Sequence, residues 1–384
     1  MNKYYNAYFK VNLDEVVRNY RRVLEYVNSR RVTEKTVGLI PVVKGNCYGY
    51  GLIEMAKLYE RECGAKLIAV SAIWEAVELR NAGVESDILI TGGIPRQHLR
   101  ACVDYNLQPN VFEEESLTIL NEYAKERNKI VKIQVKIETG MNRLGVKPGQ
   151  DLVRYLDRIE KSSNVEVAGV FTHFSTSTMD YYEPFAVAQF EKFKYALSQF
   201  EERGIHPEYV HCCNSAATAW FKEAYCTHVR NCTSPLGHEA MEDGREPIGL
   251  VESLEIGTWI TNVHDLEAGE SVGYDYAYTT DKPITVATLS VGFADGFYPK
   301  WMRDHGPVLI NGKRARFLGC CMDQSFVDVT GIECKIGDKA ILIGKSGEEK
   351  ITTWEMENFL GNTFEYIYGT IGPRVERIYE RDGE

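Results

Sequence analysis

The sequence predicts an α/β protein: a (β/α)8 TIM-like barrel followed by a mainly β domain. Three observations carry that expectation. From Val37 to Arg230, short apolar runs alternate with longer stretches of helical periodicity, the signature of eight strand–helix units closing on themselves. Past about residue 245 the helical period fades, and strand-like runs separated by turn signals take over. The length of 384 residues suits a barrel with an added domain. The barrel is assigned to residues 12–245 and the β-rich domain to 246–384, with residues 1–11 expected to pair with the latter.

The first element is a helix. Leu13, Val16, Val17, Tyr20, Leu24 and Val27 recur at three- and four-residue steps, with Asn12 or Asp14 near its start. The run from Val37 to Val43 then reads as a strand buried on both faces. Strands are expected to end near Lys44, Ser71, Thr91, Val111, Ile137, Thr172, His211 and Arg230. Helices are expected between them, among others at Ile73–Ala82, Glu114–Arg127, Gln150–Ile159, Pro184–Glu202 and Ser215–Glu223. In the second domain the strand-like runs are Leu250–Val263, Ile284–Val291, Val308–Ile310, Phe326–Val329 and Ala340–Ile343, with one helix at Thr352–Leu360.

Composition narrows the function. A hydrophobic share of 44% is ordinary globular composition. The net charge of -11 argues against nucleic acid or an anionic membrane as partner. No apolar run reaches the roughly 18 residues of a membrane span. The start, Met1-Asn-Lys-Tyr-Tyr-Asn6, lacks the apolar core of a signal peptide, so a cytoplasmic protein is expected. The ten cysteines include two adjacent pairs and no Cys-x-x-Cys. They are expected to be buried small hydrophobes of a reducing compartment. The eight histidines have no zinc-like spacing, and no metal is expected.

Barrel enzymes work at the C-terminal ends of their strands, so residues there are the candidates. Lys44 follows two valines that should be buried. Desolvation would favour the neutral amine that a Schiff base requires; a lysine snorkelling at the barrel rim is the alternative. Ser215 should open a helix after strand seven, either as one wall of a phosphate site together with Asn214 or as a plain N-cap. His173 and His211 sit at strand ends as catalysts or as satisfied polar residues. Lys136 and Arg143 belong to the site or to an ion-paired rim.

Taken together, these blocks resemble the fold-type III alanine racemase family over nearly the whole chain. Val43-Lys-Gly-Asn-Cys-Tyr-Gly-Tyr-Gly51 resembles that family's cofactor-lysine motif, V-K-A-x-A-Y-G-H-G. Lys136-Ile-Glu-Thr-Gly-Met-Asn-Arg-Leu-Gly145 is similar to its K-x-D-T-G-M-x-R-x-G. Phe171-Thr-His-Phe174, Asn214-Ser-Ala-Ala217, Gly273-Tyr274, Gly292-Phe-Ala-Asp-Gly296 and Cys321-Met-Asp-Gln324 follow in the family's order.

The resemblance implies a racemase that uses pyridoxal 5'-phosphate (PLP) and acts on a small amino acid, with alanine as the default substrate. It implies a homodimer with shared active sites. Lys44 would be the Schiff-base lysine and one catalytic base, and Tyr274 the other base, reaching the partner subunit's barrel. Tyr48, Ser215 and the backbone at Cys232 and Thr233 would hold the phosphate, with Asn214 beside Ser215. Arg230 would face the pyridine nitrogen, His211 would lie beside it, and His173 would support Tyr274. Arg143, Met322 and Asp323 would meet the substrate, the last two from the partner. Lys136 matches a position carbamylated in some members.

Racemisation suits this set. Inverting an α-carbon needs a base on one face and an acid on the other, which a lysine and a tyrosine supply. A guanidinium facing the ring nitrogen keeps its protons, so the ring is a weaker electron sink. The chain departs from the family where Pro373 stands in place of a tyrosine near the C-terminus. Phe293 and Tyr50 replace a tyrosine and a histidine, and Arg230-Asn-Cys-Thr lacks a glycine. A pocket opened at Pro373 would admit serine or a broader set of amino acids, because one methylene or hydroxyl discriminates by only about 1–3 kcal/mol. A fold-type III decarboxylase is the further alternative.

Overall fold

A computed structural model describes residues 4–177, 183–239 and 247–383. The predicted boundary near residue 245 and the first three residues of the N-terminal arm lie outside the described residues. Two compact units emerge: Glu15–Cys47 with Leu52–Glu252, and Met1–Asp14 with Tyr48–Gly51 and Ser253–Glu384.

After strand β1 (Ala7–Asn12), the first unit holds eight parallel strands. They are β2 (Gly38–Pro41), β3 (Leu67–Val70), β4 (Asp87–Ile90), β5 (Gln108–Val111), β6 (Val131–Lys136), β7 (Val165–Phe171), β8 (Tyr209–His211) and β9 (His228–Asn231). Their order is β2-β9-β8-β7-β6-β5-β4-β3. A parallel bridge from Val42 to Ala69 closes the ring, so this sheet is the predicted (β/α)8 barrel. The predicted helices form with ends shifted by a residue or two: Leu13–Arg30, Ile73–Asn81, Glu114–Glu126, Gln150–Glu160 and Glu183–Glu201. The last breaks early, as Ser215–Trp220 followed by a 3-10 turn at Lys222–Ala224.

Inside the barrel Ile40, Val42, Leu67, Ala69, Leu89, Ala168, Phe171 and Tyr209 form one apolar cluster. Burying a side chain such as Phe171 contributes about 1.5–3 kcal/mol. The barrel strands also bury Gln108, Gln134, Lys136, His211 and Arg230. A polar set of that size is buried only if hydrogen-bonded.

The second unit is built on a nine-stranded sheet. Its strands after β9 are β10 (Leu254–Leu266), β11 (Ser271–Val272), β12 (Tyr278–Thr279), β13 (Ile284–Leu289), β14 (Pro307–Ile310), β15 (Lys313–Cys320), β16 (Ser325–Asp328), β17 (Lys339–Ser346), β18 (Glu349–Ile351) and β19 (Glu376–Glu380). The sheet order is β18-β17-β14-β15-β16-β13-β10-β1-β19, while β11 pairs only with β12. An added β17–β10 pairing closes part of it on itself. β1 runs antiparallel to β10 (Ala7 opposite Thr258) and parallel to β19 (Tyr8 opposite Glu376).

Two readings of this half are corrected. The strand expected from Leu250 begins at Leu254, because the Asn19 side chain takes both backbone groups of Val251, at 2.7 and 3.1 Å. β15 and β19 escaped the pattern because neither alternates: charged residues cluster at the start of β15 (Lys313, Arg314, Arg316) and flank Ile378-Tyr379 in β19. The cysteine expectation holds only in part: all ten are free, four are buried and the others are half-buried. Among the described residues no helix is long and apolar enough to cross a membrane.

Residues Tyr48–Gly51 leave the barrel sequence to join the β unit. Arg377 Nε donates to Gly49 O at 3.0 Å, and Tyr379 Oη donates to Tyr50 O at 2.9 Å. Gly51, at φ +109, has the Tyr379 hydroxyl where a Cβ would stand, 1.8 Å away. That close approach fixes the glycine.

Candidate active site

The polar interior of the barrel is organised by Arg230, in the last strand and 5% exposed. Its Nη1 donates to His211 Nδ1 at 2.6 Å. Its Nη2 donates to His173 Nδ1 at 2.7 Å and to Thr172 O at 3.2 Å. A guanidinium has only donors, so both imidazoles must accept through Nδ1 and carry their proton on Nε2. His211 Nε2 then donates to Gln134 Oε1 at 2.9 Å, and Gln134 Nε2 to Gln108 Oε1 at 2.7 Å. His211 also stacks on Phe171, 5.0 Å between centroids.

Burial, together with the Arg230 charge, pushes both histidines well below the ordinary imidazole range, so they are neutral at pH 7. Burial lowers Arg230 to about 10, which leaves it charged. Its Nε–H and one Nη1–H have no partner among the described residues.

Lys136 ends β6 and lies 4.5 Å above the Phe171 ring. Burial and the nearby Arg230 and Arg143 charges drive its amine well below the ordinary lysine value. Arg143 sits in the loop after β6, exposed. That loop is folded around the buried Glu138, which accepts from the backbone N–H groups of Gly140 (2.5 Å) and Arg143 (3.3 Å). Neither Lys136 nor Arg143 makes an ion pair among the described residues. The ion-paired rim is therefore set aside.

At the other end of the set, Asn214 rather than Ser215 caps its helix, accepting from Ala217 N at 2.9 Å. The cap alternative for Ser215 is corrected accordingly. Ser215 Oγ instead receives the backbone N–H groups of Cys232 and Thr233, at 3.1 and 3.3 Å. Thr233 Oγ1 is buried without a partner among the described residues. A buried hydroxyl without a partner, beside a second hydroxyl that two backbone N–H groups orient, is a place where a further polar ligand could be held.

Lys44 comes three residues after β2 and is half-buried, its charge felt by His173. Tyr48, four residues on, belongs to the β unit, 6.1 Å from Phe364 between ring centres. In that unit Tyr274 opens a short 3-10 turn and is 78% exposed. Its backbone N–H meets the Cys321 thiol, which brings it beside the turn that carries Met322 and Asp323, both exposed. Pro373 is also exposed, next to Arg374, whose Nε donates to the buried Asp295 at 2.8 Å.

Sequence reasoning missed Gln134 and Glu75. Gln134 had a signal, since it shares a strand face with Lys136 at a spacing of two. Glu75 had one too, standing three residues past the N-cap Ala72, where a glutamate reaches back to the cap.

A lysine, a buried guanidinium fixing two neutral imidazoles and an open hydroxyl corner, all at barrel strand ends, define a barrel enzyme of the class with an added β domain. Residues 11–232 match the family model for the alanine racemase N-terminal domain, and residues 253–379 the model for its C-terminal domain. An alanine racemase of Carboxydothermus hydrogenoformans is 34% identical over 96% of this chain and 98% of its own. The solved alanine racemase of Clostridium difficile 630 superposes with a TM-score of 0.91 at 28% identity, covering 100% of this chain and 98% of that one. That of Bacillus anthracis, solved with bound L-Ala-P, gives 0.90 at 29%, covering 100% and 97%. The chain belongs to the alanine racemase family.

Proposed function

We propose that this chain is a PLP-dependent alanine racemase using Lys44 and Tyr274 as its two bases. The observation that carries the reading is the buried Arg230, locked as a donor with two hydrogens to spare beside neutral His173 and His211. Lys44 would carry the cofactor covalently. Ser215, the open Thr233 hydroxyl, the Cys232–Thr233 backbone and Tyr48 would hold its phosphate, with Asn214 fixing that corner. Arg230 would face the ring nitrogen, and His211 would steady Arg230. Bound there, the cofactor supplies an electron sink for the α-carbon.

The protein's own part is proton handling. Lys44 takes or returns the α-proton on one face and Tyr274 does so on the other. Arg143 anchors the substrate carboxylate, a bidentate pairing guanidinium is suited to. The working unit is a cytoplasmic homodimer in which Tyr274, Met322 and Asp323 of the partner subunit complete each site. Support comes from their exposure in the β unit. His173, with its proton on Nε2, supports Tyr274 of the partner subunit.

Lys136 is the carbamylation site. Its buried amine, held below the ordinary lysine value, would attack CO2 in its unprotonated form; a nitrogen–carbon bond forms as one C=O π bond opens, and a proton leaves. The resulting anion orients Arg143. The wider-pocket alternative is not favoured, since the relatives are alanine racemases by name.

The test is a chiral assay over a panel of L- and D-amino acids, with the visible absorbance of the PLP-loaded protein recorded alongside. Alanine should be turned over fastest. Absence of the absorbance band, or a clear preference for serine, sinks the reading.

A further inference from the structure

Lys44 is followed by four residues in the left-handed region: Gly45 (φ 61), Asn46 (φ 56), Cys47 (φ 50) and Tyr48 (φ 55). For residues other than glycine this conformation is unfavourable, so something must hold it. Cys47 N donates to Val43 O at 2.8 Å, and the Asn46 side chain accepts from Leu52 N at 2.9 Å. The entrance to the turn is held differently. Gly45 N donates to Glu75 Oε1 at 2.6 Å, and the other oxygen of that carboxylate accepts from Ser71 N and Ala72 N, both at 2.9 Å.

Glu75 is 2% exposed and makes no ion pair among the described residues. A buried carboxylate without a cation is tolerated only when N–H groups surround it. Here those groups come from two places: the helix start after the second barrel strand, and the peptide directly following Lys44. Helix capping alone would use Ser71 and Ala72; the bond to Gly45 is extra.

We propose that Glu75 is a positioning residue for Lys44, fixing the peptide from which the catalytic amine projects. This rests on Lys44 being the cofactor-bearing base. The carboxylate has two acceptor atoms and uses one for each place. A glutamine has one acceptor and one donor, so it can satisfy only one of them. It should keep the pair from Ser71 and Ala72 and turn its NH2 toward Gly45.

The experiment uses Glu75→Gln, and Glu75→Asp as a charge-preserving control with shorter reach. Amide hydrogen exchange on the full chain should show Gly45 exchanging about ten- to a hundredfold faster in both variants, the range for a lost hydrogen bond to a charged group. Ser71 and Ala72 should stay protected in Glu75→Gln. In the PLP-loaded variants, kcat for alanine should fall about tenfold or more with KM within about twofold, and the pH midpoint of the lysine–cofactor absorbance should move.

Unchanged Gly45 exchange overturns the proposal. So does a variant that loses only thermal stability, with kcat and the absorbance midpoint as in the wild type. If the wild-type protein shows no lysine–cofactor absorbance, the proposed function fails first, while Gly45 exchange still decides Glu75's hold on the turn.

Discussion

The two groups of candidate residues are built on opposite principles. In the barrel, Arg230, His211, Gln134 and Lys136 are each 5% exposed or less, and all but Lys136 are joined in one hydrogen-bonded row. In the β unit, Tyr274 is 78% and Met322 61% exposed. The barrel set is enclosed within its own unit. The β set is presented rather than enclosed, as residues meant for another surface would be. A buried row fixes charges and tautomers. An exposed set, which in the proposed function supplies a reacting group and a wall, can be changed at little cost to the fold.

That contrast can be broken in several ways. The largest expected effect is at Lys44. Lys44→Ala should abolish the absorbance of the lysine-bound cofactor and lower racemisation by about 10⁴-fold, the upper end for a lost acid–base group; a chiral assay reads it. Tyr274→Phe should cost about 10²–10³-fold. Since the equilibrium constant is fixed, kcat/KM must fall equally in both directions. Exchange of the α-proton with solvent should nonetheless persist for one enantiomer, visible by NMR in D2O.

Arg230→Ala should destabilise the barrel by roughly 3 kcal/mol or more, because it strips charge-assisted bonds from two imidazoles and a carbonyl. The denaturant midpoint reports it. Tyr274→Phe should leave that midpoint unmoved.

The pH response is graded and belongs to the barrel. His173 and His211 titrate well below the ordinary imidazole value, and burial lowers His228 to about 4. Below pH 6.5 the unfolded chain therefore binds protons that the folded barrel refuses. Stability is fully present above pH 6.5 and is lost as pH falls toward 4, by at most about 1.4 kcal/mol per pH unit for each histidine. Thermal melts between pH 7 and 5 should show it. Least of all, Met322→Ala should change fold stability by no more than about 0.5 kcal/mol while raising KM for alanine. A large loss of stability there would mean that the β set is not a surface at all.

Much of this was legible in the sequence. The barrel was visible because strand runs such as Leu67–Val70 are apolar on both faces while the intervening helices carry a single apolar stripe. Ser215, Arg230 and His173 fall at strand ends, where the fold places chemistry, and the family motifs flagged Tyr274. The charged strand Lys313–Cys320 was not legible, since half of it faces solvent and periodicity reads burial. Nor was the choice of capping residue at the start of the Ser215 helix. It turned on Asn214 taking the cap, a matter of side-chain geometry that no spacing encodes. The capping place of Glu75 was legible, but its third bond, to Gly45 thirty residues away, was not.

The row that begins at Arg230 has a direction. Each link, from guanidinium to His211, to Gln134, to Gln108, donates the same way, and it ends on a Gln108 Nε2 with no partner among the described residues. To reverse one link, every link beyond it would have to turn over, and the guanidinium cannot turn at all. The barrel therefore holds a polarised spine that cannot serve as a proton wire.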